Sequence, residues 1–225
     1  MRTVAILPAY NLEAGIGDVV RRTLPFVERV IVVADASRDA TGEAARRAGA
    51  LVPEVRSDRG KGRALIRGIA AARELDPDIV VLLDADGQHL PEEIPVLLAP
   101  LAAGGVDLVS GSRLRGQLRT SLVNRFGNHV LRLMSFAITG RWLSDTETGF
   151  RAFRARALFD MPLSAPSYEI ESEIMLRALA RKLAIVEVPI TVPFAVRGVT
   201  VRDGLKVAWY KLRFGLGLRT GRIAP

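Results

Sequence analysis

The sequence predicts an α/β fold: a mostly parallel, Rossmann-like sheet flanked by helices, in a single domain with an elaborated basic C-terminal half. Three observations predict it. Short apolar blocks recur about every 25 residues in the first half, with helical patterns between them. The blocks are continuous rather than alternating in polarity, as strands buried on both faces are. The 225 residues, 49% of them apolar, suffice for one sizeable core, with no internal repeat or low-complexity linker.

Thr3–Leu7 reads as the first strand and Glu13–Leu24 as the first helix. Arg29–Val33, Ala50–Val55 and Ile79–Leu83 read as further strands, with helices over Thr41–Ala48 and Lys61–Leu75 between them. Pro91–Leu101 adds a helix and Val106–Ser110 a strand, after which the regular alternation stops. The rest holds a long helix near Ser121–Ile138, a turn in "SDTETGFRAF", a helix near Glu169–Lys182, a strand pair in "AIVEVPITVPF" and a basic, apolar C-terminal helix. Gly215 and Gly217 argue against a rigid helix beyond Phe214. Ligands of such sheets lie beyond the carboxyl ends of the strands. The loops of interest are therefore Pro8–Glu13, Ala34–Thr41 and Asp84–Pro91.

The net charge of +8 is unevenly placed: residues 113–156 carry +7 and 196–225 carry +6, whereas 1–112 sum to −3 and 157–195 to −2. Two basic segments imply an anionic partner: nucleic acid, a phosphorylated ligand or anionic lipid. Against a nucleic-acid module stand a 6% aromatic content and the lack of any recognisable binding motif. No uncharged apolar run reaches the ~18 residues of a membrane span. The apolar stretch Val4–Leu7 before Pro8 is too short for an export signal. The absence of cysteine excludes disulfides and thiolate metal sites and suits a reducing cytoplasm.

The stretch "VVLLDADGQHL" runs an apolar strand straight into Asp84, Asp86 and Gln88. If it stays extended, these three oxygen-bearing side chains share one face. Two such carboxylates repel unless a cation lies between them, and an oxygen-only set suits Mg²⁺ or Mn²⁺. An EF-hand is excluded, since its sixth and twelfth positions are here His89 and Pro95. An Asp-Gly turn with no ligand remains the competing reading of this stretch. In "DRGKGRAL", Arg59, Lys61 and Arg63 open a glycine-punctuated helix start that favours a phosphate. It lacks the P-loop spacing of an ATPase.

Together, "ILPAYN", "VIVVADASRDATG", "RGKGRAL", "LLDADGQHLPEEI", "GSR", "DTETGFRAF", "YEIESEIMLRA" and "EVPI" resemble, in order, the inverting family 2 glycosyltransferases of GT-A fold, especially the polyprenyl-phosphate sugar synthases. The resemblance covers about the first 190 residues. It implies transfer of a sugar from a nucleotide-diphosphate donor of GDP-mannose or UDP-glucose type to a polyprenyl or dolichyl phosphate. Carried over by position, Pro8, Tyr10, Glu13, Asp35, Lys61 and Asp84 would serve the nucleotide. Asp84, Asp86 and Gln88 would hold the metal. Arg113, Arg125 and Arg132 would face the acceptor phosphate, and Asp86, Asp145 and Arg151 would shape the reaction centre. Where relatives read Asn-Glu-Glu and Asp-Asp-Gly-Ser, this chain has Asn11-Leu12-Glu13 and Ala34-Asp35-Ala36-Ser37. These departures leave the base open and the metal motif intact. A soluble transferase with a small or sugar acceptor is the alternative.

In helical projection, Ser121, Arg125, Asn128, Arg132 and Ser135 form a narrow polar stripe on a mostly apolar helix. It suits a lipid carrying a phosphate head, or else a core helix with one solvated edge. In the last helix, Leu205, Ala208, Trp209, Leu212 and Leu216 share a face flanked by Lys206, Lys211 and Arg213. That is the composition of a helix lying in a membrane interface, its cations reaching the headgroups. The expected organisation is a glycosyltransferase domain over 1–195, with a nucleotide and metal half to 112 and an acceptor half from 113, then a membrane-surface segment over 196–225. The expected location is the cytoplasmic face of a membrane, with an anionic surface and a membrane-anchoring protein as partners.

Overall fold

Val4 to Leu7 are fully buried, because strand β1 (Thr3–Pro8) lies inside a sheet covered on both faces. The computed structural model describes residues 1–34, 37–54, 59–118, 122–193 and 200–223, with only the backbone at 117–118, 122–126 and 201. β2 (Arg29–Val33) and β3 (Ile79–Leu82) flank β1 in parallel. With β4 (Leu108–Leu118), β5 (Arg151–Arg154) and β6 (Ile185–Val192) they form a six-stranded sheet of order β2-β1-β3-β5-β4-β6. β5 runs antiparallel to its neighbours β3 and β4, and β6 is parallel to β4. The sheet is therefore mostly parallel, with one opposed strand.

Strand alternation assigns the two faces. Ala5, Leu7, Ile79 and Val81 join a core with Ile16 and Val20 of α1 (Glu13–Thr23), Ala45 of α2 (Thr41–Arg47) and Ile94 and Leu97 of α4 (Ile94–Ala103). Val4, Ile6, Val80 and Leu82 pack on the other side. Their partners are Leu65 and Ile69 of α3 (Lys61–Arg73), Leu158 of α6 (Ala155–Phe159) and Ile174 and Met175 of α7 (Glu169–Ala180). α5 (Leu122–Thr139) and α8 (Val201–Arg219) pack against each other and against α7.

Several elements differ from the sequence reading: β5 arises where a turn was expected, α6 follows it directly, and β4 runs on to Leu118. Ala50–Val55 is no full strand: Leu51 alone forms an isolated bridge, to Ile31, ahead of Pro53, and Val55 lies outside the described residues. "AIVEVPITVPF" contributes one edge strand rather than a pair. Pro189 is tolerated there because an edge strand need not donate every N–H, and pairing with β4 is irregular from Ser112 to Gln117. α8 continues through Gly215 and Gly217 to Arg219. A Cβ at Gly215 would come within 2.8 Å of Ile138 in α5, so this glycine serves the close approach of two helices.

α3 also lies tight on the sheet, since a Cβ at Gly68 would strike the Ile6 side chain in β1. Gly68→Ala is therefore expected to lower unfolding free energy by about 1–3 kcal/mol in urea titration. Gly127→Ala, in α5 with open space around it, should be neutral or stabilising by up to about 1 kcal/mol.

Candidate active site

The loops after β1 and β2 are stitched together by short polar side chains. The Asn11 N–H donates to Ser37 Oγ at 3.1 Å, the Asn11 carbonyl oxygen Oδ1 accepts from the Arg38 N–H at 2.9 Å, and the Leu12 N–H donates to Thr41 Oγ1 at 2.8 Å. Glu13 accepts from the Ala40 N–H at 3.2 Å. Leu12, in place of the family's usual acid, is partly buried against the core. Pro8 ends β1, and Tyr10 beyond it is exposed, with the Arg59 guanidinium 5.0 Å from its ring centroid and bonded to its hydroxyl. Asp35 lies outside the described residues.

β3 ends at Leu82, and residues 85–88 form a turn with Gly87 at φ +81°. The segment is thus not extended, and the expectation of one shared strand face is replaced by another geometry. Asp86 and Gln88 meet across the turn: the Gln88 N–H donates to Asp86 Oδ1 at 3.1 Å, and the Gln88 amide reaches the other carboxylate oxygen. Asp84 turns inward, where Lys61 Nζ lies 2.5 Å from its Oδ1 and 2.8 Å from Glu171 Oε1. On its other side the Asp84 carboxylate abuts Gly149, where a Cβ would stand 2.6 Å from Oδ2. The Asp84 N–H donates to His89 Nδ1 at 3.3 Å, and the buried His89 ring stacks on Phe150.

The electrostatics follow this layout. Burial opposes the charge on Asp84, yet Lys61 beside it holds the carboxyl well below the usual range. Burial likewise opposes the charge on Lys61, and Asp84 and Glu171 together hold its ammonium above the ordinary lysine range. Burial pushes the His89 imidazole down to about 4, so the ring is neutral and accepts from Asp84. Asp86, exposed at the rim, is raised by partial desolvation and by the Asp84 charge nearby. A carboxylate raised by a like charge gains from a cation. The donor set at this rim is oxygen-only, as a hard divalent ion requires. Among the described residues no group of three or more acids, histidines or cysteines forms a complete metal cage.

The "DTETG" loop is organised from behind. Glu187 of β6 accepts from the Ser144 N–H at 2.8 Å, from Ser144 Oγ at 2.8 Å and from the Asp145 N–H at 3.0 Å. So fixed, Asp145 grips Arg113 of β4 bidentately, at 2.7 Å to Nε and 2.9 Å to Nη2. Burial would raise the Asp145 carboxyl, but Arg113 lowers it. Arg151 is fully buried beneath the loop, donating to Thr146 O at 2.9 Å and to Glu171 Oε2 at 3.0 Å. It therefore meets the site through Glu171 and Thr146 and has no opening of its own. Arg132 donates to Ser144 O at 3.2 Å and lies 5.5 Å from the Trp142 ring centroid. The side chain of Arg125 lies outside the described residues.

Lys211 overturns its expected role. It is fully buried rather than flanking an apolar face, with Nζ 2.6 Å from Glu147 Oε1 and 2.7 Å from Ser135 Oγ. The reason is its place at the centre of α8's inner face, beside the buried Val207 and Phe214. Ser135, from the polar stripe of α5, is buried as well. Ser121 and the Arg125 side chain lie outside the described residues, and Asn128 and Arg132 of the stripe are half-buried, while Leu133 and Phe136 of α5, and Leu205, Trp209, Leu212 and Leu216 of α8, are exposed. Sequence reasoning missed Glu147, Glu171, Glu187 and Lys211 as organisers of the site. The first three fall in motifs it had singled out, without any signal of which partner each would find.

A mostly parallel sheet with two acids after β3, closed by a loop carrying Asp145, is the arrangement of a glycosyltransferase of GT-A fold. The family profile described as glycosyl transferase family 2 matches residues 4–161, and the chain belongs to that family. It is 34% identical to the undecaprenyl-phosphate mannosyltransferase of Micrococcus luteus, over 97% of this chain and the whole of that protein. It is 30% identical to the UDP-N-acetylglucosamine–dolichyl-phosphate N-acetylglucosaminyltransferase of Methanococcus voltae, over 94% of this chain and 95% of that one. Among solved structures, the fold is similar to glucosyl-3-phosphoglycerate synthase from Mycobacterium tuberculosis in complex with Mn²⁺, UDP and phosphoglyceric acid. The TM-score is 0.75 at 26% identity, over 95% of this chain and 78% of that one.

Two outcomes are expected. Glu187→Ala should cost about 1–3 kcal/mol for each buried donor left unpaired, read by chemical denaturation. The Asp145 carboxyl is held below its unfolded value, so its contribution to stability is present above the ordinary aspartate pKa of about 4 and is lost as pH falls through the lower folded value. The stability deficit of Asp145→Asn should accordingly shrink between neutral pH and about pH 3.

Proposed function

We propose that this enzyme transfers a sugar from a nucleotide-diphosphate sugar, of GDP-mannose or UDP-glucose type, to a polyprenyl phosphate, with inversion and at a membrane surface. The observation that carries the acceptor is the outward apolar face of α5 and α8, on the side of the molecule where Lys211 and Arg132 reach the "DTETG" loop. A helix pair that buries Ser135 and Lys211 and exposes leucine and tryptophan is suited to an interface with lipid. Arg202, Lys206, Arg213 and Arg219 of α8 are exposed beside that face and match an anionic surface. Among the described residues no helix is long and apolar enough to cross a membrane. The named relatives from Micrococcus luteus and Methanococcus voltae act on lipid-linked phosphates, which supports the same acceptor class here.

Asp86 and Asp84, with Gln88, would hold Mg²⁺ or Mn²⁺, the former carboxylate at the rim and the latter beneath it. The ion would neutralise the diphosphate as it departs. Phosphate oxygens would complete a ligand set that two carboxylates leave open, as is usual for magnesium. Tyr10, Glu13 and Pro8 border the nucleoside side of the loops, and Arg59 offers a cation next to Tyr10. A phosphate monoester is already anionic at neutral pH, so the acceptor needs no general base. Arg113, oriented by Asp145, and Arg132 supply positive charge for that anion. The phosphate oxygen attacks the anomeric carbon in line with the leaving diphosphate, which inverts the centre. Glu187, Glu171 and Arg151 keep the loop and acids in register from behind.

A second reading is favoured by one observation: the structurally similar synthase was crystallised with phosphoglyceric acid, a small phosphorylated acceptor. The purified protein, incubated with radiolabelled sugar nucleotides, is expected to label polyprenyl phosphate and not phosphoglycerate. Labelling of the small acid alone would replace the lipid reading. Asp86→Ala should lower transfer at least a hundredfold with the fold intact. Replacing Trp209 and Leu212 together by serine should abolish co-sedimentation with anionic vesicles, because each buried apolar side chain contributes about 1.5–3 kcal/mol.

A further inference from the structure

The Lys61 ammonium pairs with Asp84. Lys61 is the first residue of α3, and its flanking glycines let the helix start press against the 165–166 backbone, where any Cβ at Gly60 or Gly62 would collide. This close approach aims the ammonium between Asp84 and Glu171, at 2.5 and 2.8 Å. The second oxygen of Glu171 is held by Arg151 at 3.0 Å. Glu171 is thus shared between two cations, while Asp84 has Lys61 as its close partner. Asp86, at the rim within reach of the Asp84 charge, accepts from the Gln88 amide groups among the described residues.

Asp84, Asp86 and Glu171 against Lys61 and Arg151 leave a single net negative charge. The nearby Arg113–Asp145 and Lys211–Glu147 pairs are each neutral, and the His89 ring, whose Nδ1 accepts from the Asp84 N–H, carries no charge. A divalent ion entering alone would reverse the sign of this partly buried cluster and would have to compete with Lys61 for Asp84. The same ion entering with the doubly charged diphosphate of a sugar nucleotide leaves the net charge as it was. In a medium less polarisable than water that difference is large.

We propose that Lys61 is a built-in counter-ion which makes divalent-ion binding conditional on the diphosphate: without the diphosphate the ammonium stays on Asp84, and the ion and the nucleotide enter as a neutral pair. This rests on the metal and diphosphate reading of Asp84 and Asp86 given above and adds a role for Lys61 beyond contact with the nucleotide. Lys61 acts here as a positioning residue. By linkage, whatever factor the diphosphate contributes to ion affinity, the ion returns to the diphosphate.

The test is Mn²⁺ binding, read from the electron paramagnetic resonance signal of free Mn²⁺, without nucleotide and with UDP or GDP. The unsubstituted protein is expected to bind Mn²⁺ weakly alone and at least tenfold more tightly with the matching diphosphate. Lys61→Met, checked for folding by circular dichroism, is expected to bind Mn²⁺ alone at least tenfold more tightly, and the diphosphate should then add little. Lys61→Arg keeps the charge and should keep the weak affinity. Glu171→Gln, which leaves Asp84 as the only carboxylate for Lys61, should weaken Mn²⁺ binding at least threefold and serves if the methionine variant does not fold. Unchanged Mn²⁺ affinity in Lys61→Met, or in Glu171→Gln in its place, with diphosphate-dependent binding intact in the unsubstituted protein, overturns this role and leaves the proposed function standing. Absence of Mn²⁺ binding even with both diphosphates overturns the two together.

Discussion

A charge taken out of water must be paired, and the cost of failing to do so is several kcal/mol per ion. In this protein that constraint joins elements far apart in sequence. Lys61 at the start of α3, Asp84 after β3, Glu147 in the "DTETG" loop, Arg151 in β5, Glu171 in α7 and Lys211 in α8 are held together by ion pairs and shared hydrogen bonds. Ser172 closes the chain by donating to Glu147 at 2.7 Å. None of these pairs need add much net stability, since a well-packed apolar replacement often does as well. Breaking any one leaves a stranded charge. The arrangement therefore fixes the position of the loop against the acids more than it strengthens the fold.

The same constraint explains how one face of the molecule is free to be apolar. Within the α5–α8 pair, Ser135 meets Lys211 and Lys211 meets Glu147 inside the molecule. Their outer surfaces then combine exposed leucine, phenylalanine and tryptophan with the solvated Arg202, Lys206, Arg213 and Arg219. Trp142, next to Phe136 in an edge-to-face contact, extends this surface beyond the helix end. The family profile covers residues 4–161. Glu171, Glu187 and Lys211 all lie beyond those residues, and with Arg151 inside them they steady the loop from behind.

Much of the first half was legible because its signals are local. Continuous apolar blocks gave β1, β2 and β3, and polarity at their ends marked the loops of the site. β5 was not legible: its four residues are bounded by Arg151 and Arg154, and only the neighbouring strands make it a strand. The acids at 84 and 86 were found for a sound reason with the wrong backbone, since a turn rather than an extended segment sets their directions. For α5 and α8, helical periodicity separated polar from apolar faces correctly. It carries no information on which face meets the core: the α8 face assigned to a membrane surface is exposed at Leu205, Trp209, Leu212 and Leu216, whereas Ser135 of the α5 stripe is buried. Lys211 shows the same limit, because a lysine's partner is a fact of tertiary structure.

The central claim is that the acids at the end of β3 hold a divalent ion against the diphosphate of a nucleotide. Thermal denaturation with nucleoside diphosphates, in the presence of Mn²⁺ or Mg²⁺ or of a chelator, tests it most directly. A ligand that binds only the native state at a hundred times its dissociation constant stabilises by about 2.7 kcal/mol. The account predicts a rise in melting temperature with at least one diphosphate that disappears with the chelator. An equal rise in its presence, or none with any diphosphate and metal, would contradict it.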